Sequence, residues 1–392
     1  MTDKFAFLQD QLRELENTSL LRRLRCIESV QGPVVRLEGD PAEKVLFCSN
    51  NYLNLAGDRR IIAAVTEAVR RYGYGAAASR LISGTMRPHV KVETVFARFF
   101  GTEAAILFPS GWTANEAVLK TIPQKGDIVL LDKFDHASII DATRAGQAEF
   151  RTYRPDRLDR LEKLLADKKY NRRFIVTESI FSMDGNTADL KRLVDLKKAY
   201  DAILIVDEAH AIGCMGKTGA GLAHELGLLS EVDIIIAPLG KAIATTGGIV
   251  ASNKTVIDYL VNKARPFIYT TAPSPVNCAA ILTALEVVKT EPSRREKLAA
   301  NAEYLRTRLS KLGLDTGNST THIIPVIIGP SKDTLRVSKE LFARGFFIAA
   351  IRPPTVPAGS ARLRISVQSD HTTEQLDALV NALKDTIKTS GR

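Results

Sequence analysis

Three short segments hold the residues best able to do chemistry. Phe134-Asp135-His136-Ala137-Ser138 offers an aromatic base, Asp207-Glu208-Ala209-His210 an acid and a second imidazole, and Gly240-Lys241-Ala242 a lysine. The last two each follow an apolar run, Ala202 to Val206 and Ile234 to Ile236, of the kind that forms buried strand. An amine at the end of a buried strand is poorly solvated, and burial with nearby charge lowers an amine's pKa, as imine formation with an aldehyde requires. An acid beside a pyridine nitrogen keeps it protonated, so the ring takes up electrons from an adjacent carbanion. Lys241, Asp207, His210 and His136 are thus the equipment for pyridoxal-phosphate chemistry. Ser110-Gly111-Trp112 precedes a predicted helix near Thr113, and N–H groups at a helix start bind phosphate.

Each residue alone has a bland explanation. A lone lysine usually snorkels to the surface, a lone histidine packs in a core, and a lone acid caps a loop or pairs with an arginine. Their combination at strand ends outweighs those readings. A second pattern is a decoy: Ala211-Ile212-Gly213-Cys214-Met215-Gly216-Lys217-Thr218 nearly spells a phosphate-binding loop. Ala211 stands where the first glycine is needed, and the segment follows the acidic box instead of preceding it.

The elements that must position these groups are legible as apolar runs. Strands are expected at Ala104–Phe108, Ile128–Leu131, Phe174–Thr177, Ile203–Val206, Asp233–Ala237 and Gly248–Ala251. Most are continuous rather than alternating in polarity, as in strands buried on both faces. Helical stretches such as Leu158–Leu165 and Leu190–Tyr200 lie between them, so the fold class is α/β with a mostly parallel sheet. After Glu291-Pro292-Ser293 the pattern changes. A charged helix from Arg294 to Leu312, strands at Ile323–Ile328, Phe346–Ile351 and Ala361–Val367, and helices at Asp333–Arg344 and Thr373–Lys388 predict a small α+β domain. The expected division is an N-terminal segment 1–50, a large domain 51–290 and a small domain 291–392.

Composition bounds the rest. The 392 residues are 45% hydrophobic and 25% charged, which predicts a packed core. No apolar stretch reaches the ~18 residues of a membrane span. Met1 to Glu14 mixes acids with apolar residues, unlike a signal peptide, and the Phe5, Leu8, Leu12 spacing suits a short amphipathic helix. The four cysteines, Cys26, Cys48, Cys214 and Cys278, form no CxxC pair; no metal site and a reducing cytoplasm are expected. The net charge of +10 is scattered, without an RNA-binding aromatic motif. An anionic substrate, cofactor or acidic carrier fits it as well as nucleic acid does, and so does general surface charge; no nucleic-acid partner is expected.

The chain resembles the α-oxoamine synthases, pyridoxal-phosphate enzymes of the aspartate-aminotransferase fold (fold type I). The resemblance spans nearly the whole length. It includes Ser49-Asn50-Asn51-Tyr52-Leu53, Ser79-Arg80-Leu81-Ile82-Ser83-Gly84-Thr85 and the run Thr177 to Gly185, besides the three segments above. It implies a seven-stranded central sheet, a smaller α+β C-terminal domain and a homodimer with shared active sites. The segments Ala350 to Gly359 and Ser360 to Arg364 are most similar to the branch that condenses L-alanine with a pimeloyl thioester, carried by coenzyme A or an acyl carrier protein. Relatives use glycine with acetyl-CoA or succinyl-CoA, or serine with palmitoyl-CoA.

The resemblance also implies roles. Lys241 carries the cofactor and moves the Cα proton, Asp207 holds the pyridinium, and His136 stacks on the ring. His210 and Ser182 serve the phenolic oxygen side, Glu178 is a further cofactor contact, and Gly111 and Trp112 sit near the phosphate. Thr270 or Thr271 serves a neighbouring copy's phosphate. Asn50 and Arg364 are candidates for the amino-acid carboxylate, and Arg22 (or its neighbour Arg23), Arg352 and Thr355 for the acyl substrate. Two departures stand out. Pro238 replaces the usual threonine three residues before the lysine and offers neither hydroxyl nor N–H. Ala244 replaces a frequent glycine. Thr245, Thr246 or a neighbouring copy's threonines are left to supply the missing phosphate contact.

Overall fold

The computed structural model describes residues 4–388, arranged as two compact units. One comprises the described residues up to Ser49, Met183–Gly185, and the chain from Ala299 onward; the other comprises Asn50–Ser182 and Asn186–Leu298. The expected terminal segments 1–50 and 291–392 include residues 1–3 and 389–392, which lie outside the described residues. In chain order the strands are β1 (Val34–Leu37), β2 (Asp40–Leu46), β3 (Ala104–Phe108), β4 (Ile128–Asp132), β5 (Glu149–Tyr153), β6 (Arg173–Glu178), β7 (Ile203–Asp207), β8 (Ile234–Pro238), β9 (Gly248–Ser252), β10 (Ile323–Gly329), β11 (Phe346–Phe347), β12 (Ala349–Ile351) and β13 (Ala361–Ser366).

The larger unit is built on a seven-stranded sheet in the order β3-β9-β8-β7-β6-β4-β5. Strands β5, β4, β6, β7 and β8 are parallel neighbours, whereas β9 runs against both β8 and β3. Every residue of β4, β8 and β9 is buried, which is why these strands read as unbroken apolar runs. Their side chains join Phe108, Val118, Phe174 and Phe267 in a single core. Each such buried side chain contributes about 1.5–3 kcal/mol. Strand β5, Glu-Phe-Arg-Thr-Tyr, is an edge with exposed Arg151 and Thr152, so its charges hid it from the apolar reading. Parallel strands deliver their C-terminal ends to one side, and the polar residues Asp132, Glu178 and Asp207 are the last residues of β4, β6 and β7.

The smaller unit holds two three-stranded sheets, β1-β2-β11 and β10-β13-β12. The single strand expected over Phe346–Ile351 is two strands that enter different sheets: β11 pairs with β2, and β12 pairs with β13. The chain switches at buried Ile348, whose carbonyl accepts the Ser338 hydroxyl at 2.9 Å instead of a ladder N–H. The helix predicted near the N-terminus forms over Ala6–Asn17, with no buried residue.

Candidate active site

Three neighbouring strand ends, of β6, β7 and β8, and the start of the helix Gly111–Thr121 meet at a cavity of about 430 Å³ in the larger unit. Trp112, Asn115, His136, Glu178, Asp207 and Lys241 line it. The volume suits a small organic ligand.

The helix start is built by Ser110, which is extended and caps it. Ser110 Oγ accepts the Thr113 N–H at 3.1 Å, and Thr113 Oγ1 accepts the Ser110 N–H at 3.0 Å. The N–H groups of Gly111 and Trp112 have no intrahelical acceptor and stay available to an anion. Gly111 is obligatory here: a Cβ would lie 2.5 Å from Pro238 Cβ and 2.6 Å from its Cγ.

Asp207 sits in register opposite Glu178 on the neighbouring strand. Its Oδ1 accepts the Ala209 N–H at 2.8 Å, and its Oδ2 accepts Asn115 Nδ2 at 2.9 Å. Asp207 is 3% exposed, and among the described residues it forms no ion pair. Asn115 Nδ2 also donates to Ser138 Oγ at 3.0 Å, which lies 2.8 Å from His136 Nδ1. The Ser138 N–H donates to the same nitrogen, which fixes His136 as the cap of the helix Ala137–Arg144. Burial, then the nearby Lys241 charge, push the His136 pKa below its usual value, so its ring is neutral near pH 7.

Behind this layer lies a buried acid cluster. Asp135 accepts the backbone N–H groups of Asp132 and Glu178, each at 2.9 Å, and so ties β4 to β6 beside His136. Burial pushes Asp132 up to about 7. Burial and the neighbouring carboxylates raise Asp135 and Glu178 well above the ordinary range. Glu178 Oε2 and Asn115 Oδ1 are buried without a protein partner.

His210 and Ser182 are buried but are not part of the cavity lining. Tyr52 donates to Asn50 Oδ1 at 2.9 Å, which makes His210 Nδ1 the donor to Tyr52 Oη at 2.7 Å. Asn50 lines the cavity, so Tyr52 links His210 to it. Thr270 and Thr271 are outside the lining; Thr271 bridges to Ser79. Arg22, Arg352, Thr355 and Arg364 belong to the smaller unit. There Arg352 donates to Ser19 O, and burial followed by the like charge of Arg22 lowers its pKa. Arg23 instead pairs with Glu16 at 3.1 Å. Arg364 is buried and donates to Ser366 Oγ at 2.7 Å. Reasoning from the sequence missed Asn115, and it quoted Ser138 and Tyr52 within longer motifs without giving either a role. The sequence carries no clear signal for Asn115, which is followed directly by the charged Glu116.

The arrangement fits pyridoxal phosphate. An amine, an imidazole, a helix start with free N–H groups, and a buried carboxylate share one cavity.

The aminotransferase class I and II family model matches residues 42–383. The 8-amino-7-oxononanoate synthase of Anaeromyxobacter dehalogenans is 43% identical over 373 residues, covering 95% of this chain and 93% of that protein. Among solved structures, serine palmitoyltransferase from S. paucimobilis with a bound PLP–myriocin aldimine superposes with a TM-score of 0.92 at 30% identity, over 99% of this chain and 98% of that one. The 8-amino-7-oxononanoate synthase of Francisella tularensis superposes with a TM-score of 0.78 at 28% identity, over 89% of this chain and 99% of that one. These are enzymes of fold type I, which is also the fold of this chain.

Proposed function

We propose, from the premise that this chain belongs to the aminotransferase class I and II family and to its α-oxoamine synthase branch, that it makes 8-amino-7-oxononanoate for biotin biosynthesis. It is a pyridoxal-phosphate-dependent acyltransferase. It condenses L-alanine with a pimeloyl thioester and releases carbon dioxide and the free thiol carrier. The carrying observation is full-length likeness to synthases of that name, joined to Lys241 and Asp207 in one cavity.

Pyridoxal phosphate, when bound, supplies the electron sink that stabilises negative charge at the alanine Cα. Lys241 Nζ would hold the cofactor's aldehyde and, once the alanine amine has displaced it and left it a free amine, would take the Cα proton and return one after carbon dioxide has left. Asp207 holds a proton on the ring nitrogen, with Asn115 and the Ala209 N–H fixing its two oxygens. His136, neutral and capped onto Ser138, offers its ring face. The N–H groups of Gly111 and Trp112 hold the phosphate. Asn50 is our choice for the alanine carboxylate on the cavity side. Arg364 for the carboxylate, and Arg22, Arg352 and Thr355 for the acyl group, remain proposals carried by the family resemblance.

The working assembly is a homodimer in which Thr270 or Thr271 serves the other copy's phosphate. Four unpaired cysteines support a reducing compartment, the cytoplasm. Among the described residues, no helix is long and apolar enough to cross a membrane.

The close superposition on serine palmitoyltransferase favours a second reading, serine with palmitoyl-CoA. Product analysis separates them. The purified chain is given L-alanine with pimeloyl-CoA or pimeloyl-acyl carrier protein, and separately serine with palmitoyl-CoA. Formation of 8-amino-7-oxononanoate and carbon dioxide in the first pair is expected; turnover confined to the second would replace the reading.

A further inference from the structure

The proposed function places a phosphate dianion at the start of the helix Gly111–Thr121, and this inference rests on that reading. A hydrogen bond to a phosphate oxygen is charge-assisted and strong, so hydroxyls around the cavity matter. Four of the lining residues carry one: Ser110, Ser138, Thr245 and Thr246, of which Thr246 also borders a neighbouring pocket. Ser110 Oγ is taken up in the helix cap with Thr113. Ser138 Oγ is held between Asn115 and His136. Thr245 Oγ1 is turned to Leu239 O at 3.4 Å. Among the described residues, no protein group engages the Thr246 hydroxyl.

Thr246 is also delivered to the right place. A Cβ on Gly248 would lie 2.7 Å from Ser110 O and 2.9 Å from Gly111 Cα. One on Gly247 would lie 3.3 Å from Phe108 O. The backbone following Thr246 is therefore laid directly against the segment leading into the helix. Thr246 is fixed there by one side chain. Its N–H donates to Asn277 Oδ1 at 3.2 Å, and its carbonyl accepts Asn277 Nδ2 at 2.7 Å. An amide that ties both backbone groups of one residue sets that residue's backbone, and so the origin of its side chain.

We propose that the Thr246 hydroxyl donates to the cofactor phosphate, and that Asn277 is the positioning residue that holds it there. Pro238, buried against Gly111, contributes shape to this end of the cavity and no donor.

The chain reports binding by itself, because Trp112 is its one tryptophan and lines the cavity. Full-length chain stripped of cofactor is titrated with pyridoxal phosphate, and separately with pyridoxal, which lacks the phosphate. Thr246→Ala is expected to weaken pyridoxal phosphate roughly 10- to 100-fold, as loss of one hydrogen bond to a charged group does, with pyridoxal affinity unchanged. Thr246→Ser restores the affinity. Asn277→Ala gives a smaller loss of the same selectivity, and the double variant is no worse than Thr246→Ala. Wild-type affinity in Thr246→Ala, or equal loss for both ligands, overturns the inference and leaves the proposed function standing. No binding of pyridoxal phosphate by the wild-type chain overturns both.

Discussion

Asn115 Nδ2 donates to Asp207 Oδ2 at 2.9 Å and, with the same nitrogen, to Ser138 Oγ at 3.0 Å. One amide therefore ties the acid at the end of β7 to the serine that orients His136. The carboxylate is buried and keeps both oxygens hydrogen-bonded. Such a group is poised to accept a charged ring N–H and to hold that proton in place.

Asn115→Ala should leave Asp207 short of one hydrogen bond in a buried setting, a loss of about 1.5–3 kcal/mol for a bond to a charged group. We expect kcat/KM for L-alanine to fall roughly 10- to 100-fold with the fold intact by circular dichroism. Steady-state kinetics check this. An unchanged kcat/KM would mean that Asp207 is oriented by something else.

Ala244 has φ of +53°, in the left-handed region that costs a side-chain-bearing residue about 1–2 kcal/mol. The turn demands it: the Ala244 N–H donates to Lys241 O at 2.8 Å, and the Thr245 N–H to Leu239 O at 3.1 Å. Ala244→Gly should stabilise the chain by about 1 kcal/mol, less the greater backbone freedom glycine has when unfolded. Denaturant unfolding measures it. A destabilised variant would contradict the strain assigned to this turn.

Two histidines of the smaller unit make its stability depend on acid. Burial pushes His371 down to about 4 and His322 down to about 3, from a usual 6.5. His371 Nδ1 accepts the Gln368 N–H at 3.1 Å, so a proton on that nitrogen would face another donor. Between pH 6.5 and 4 the unfolded chain binds more protons than the folded one at these sites. Their contribution is fully present above pH 6.5 and is lost as pH falls toward 4. Asp132, raised to about 7, acts in the opposite sense, losing its contribution as pH rises. Comparing variants isolates the histidine. The urea midpoint of His371→Gln should fall less steeply than wild type from pH 6.5 to 4; parallel curves would refute the assignment.

Much of this was legible in the sequence because the chemistry falls at the ends of strands with unbroken apolar runs. Lys241 and Asp207 stood out through the apolar runs preceding them, Glu178 only through the resemblance, and the helices Leu158–Leu165 and Leu190–Tyr200 formed over their expected ranges. What escaped depends on contacts between distant segments. Strand β5 is held by pairing with β4 and not by its own composition. The split between β11 and β12 lies in their pairing with distant β2 and β13, with the Ile348 carbonyl between them accepting the Ser338 hydroxyl. Asn115 is 92 residues from Asp207 in the chain, and neither its spacing nor its type announces the bond. The resemblance named the departures at Pro238 and Ala244. Only coordinates reveal that Pro238 packs on Gly111 and that Ala244 is left-handed.

The most direct measurement is the visible spectrum of the purified chain during addition of one amino acid at a time. The account predicts the absorption band of lysine-bound pyridoxal phosphate, absent in Lys241→Ala, and a spectral shift with L-alanine much larger than with glycine or serine. A band that responds best to serine or glycine would contradict the assigned substrate. No band, even after addition of pyridoxal phosphate, would contradict the assignment as a pyridoxal-phosphate enzyme.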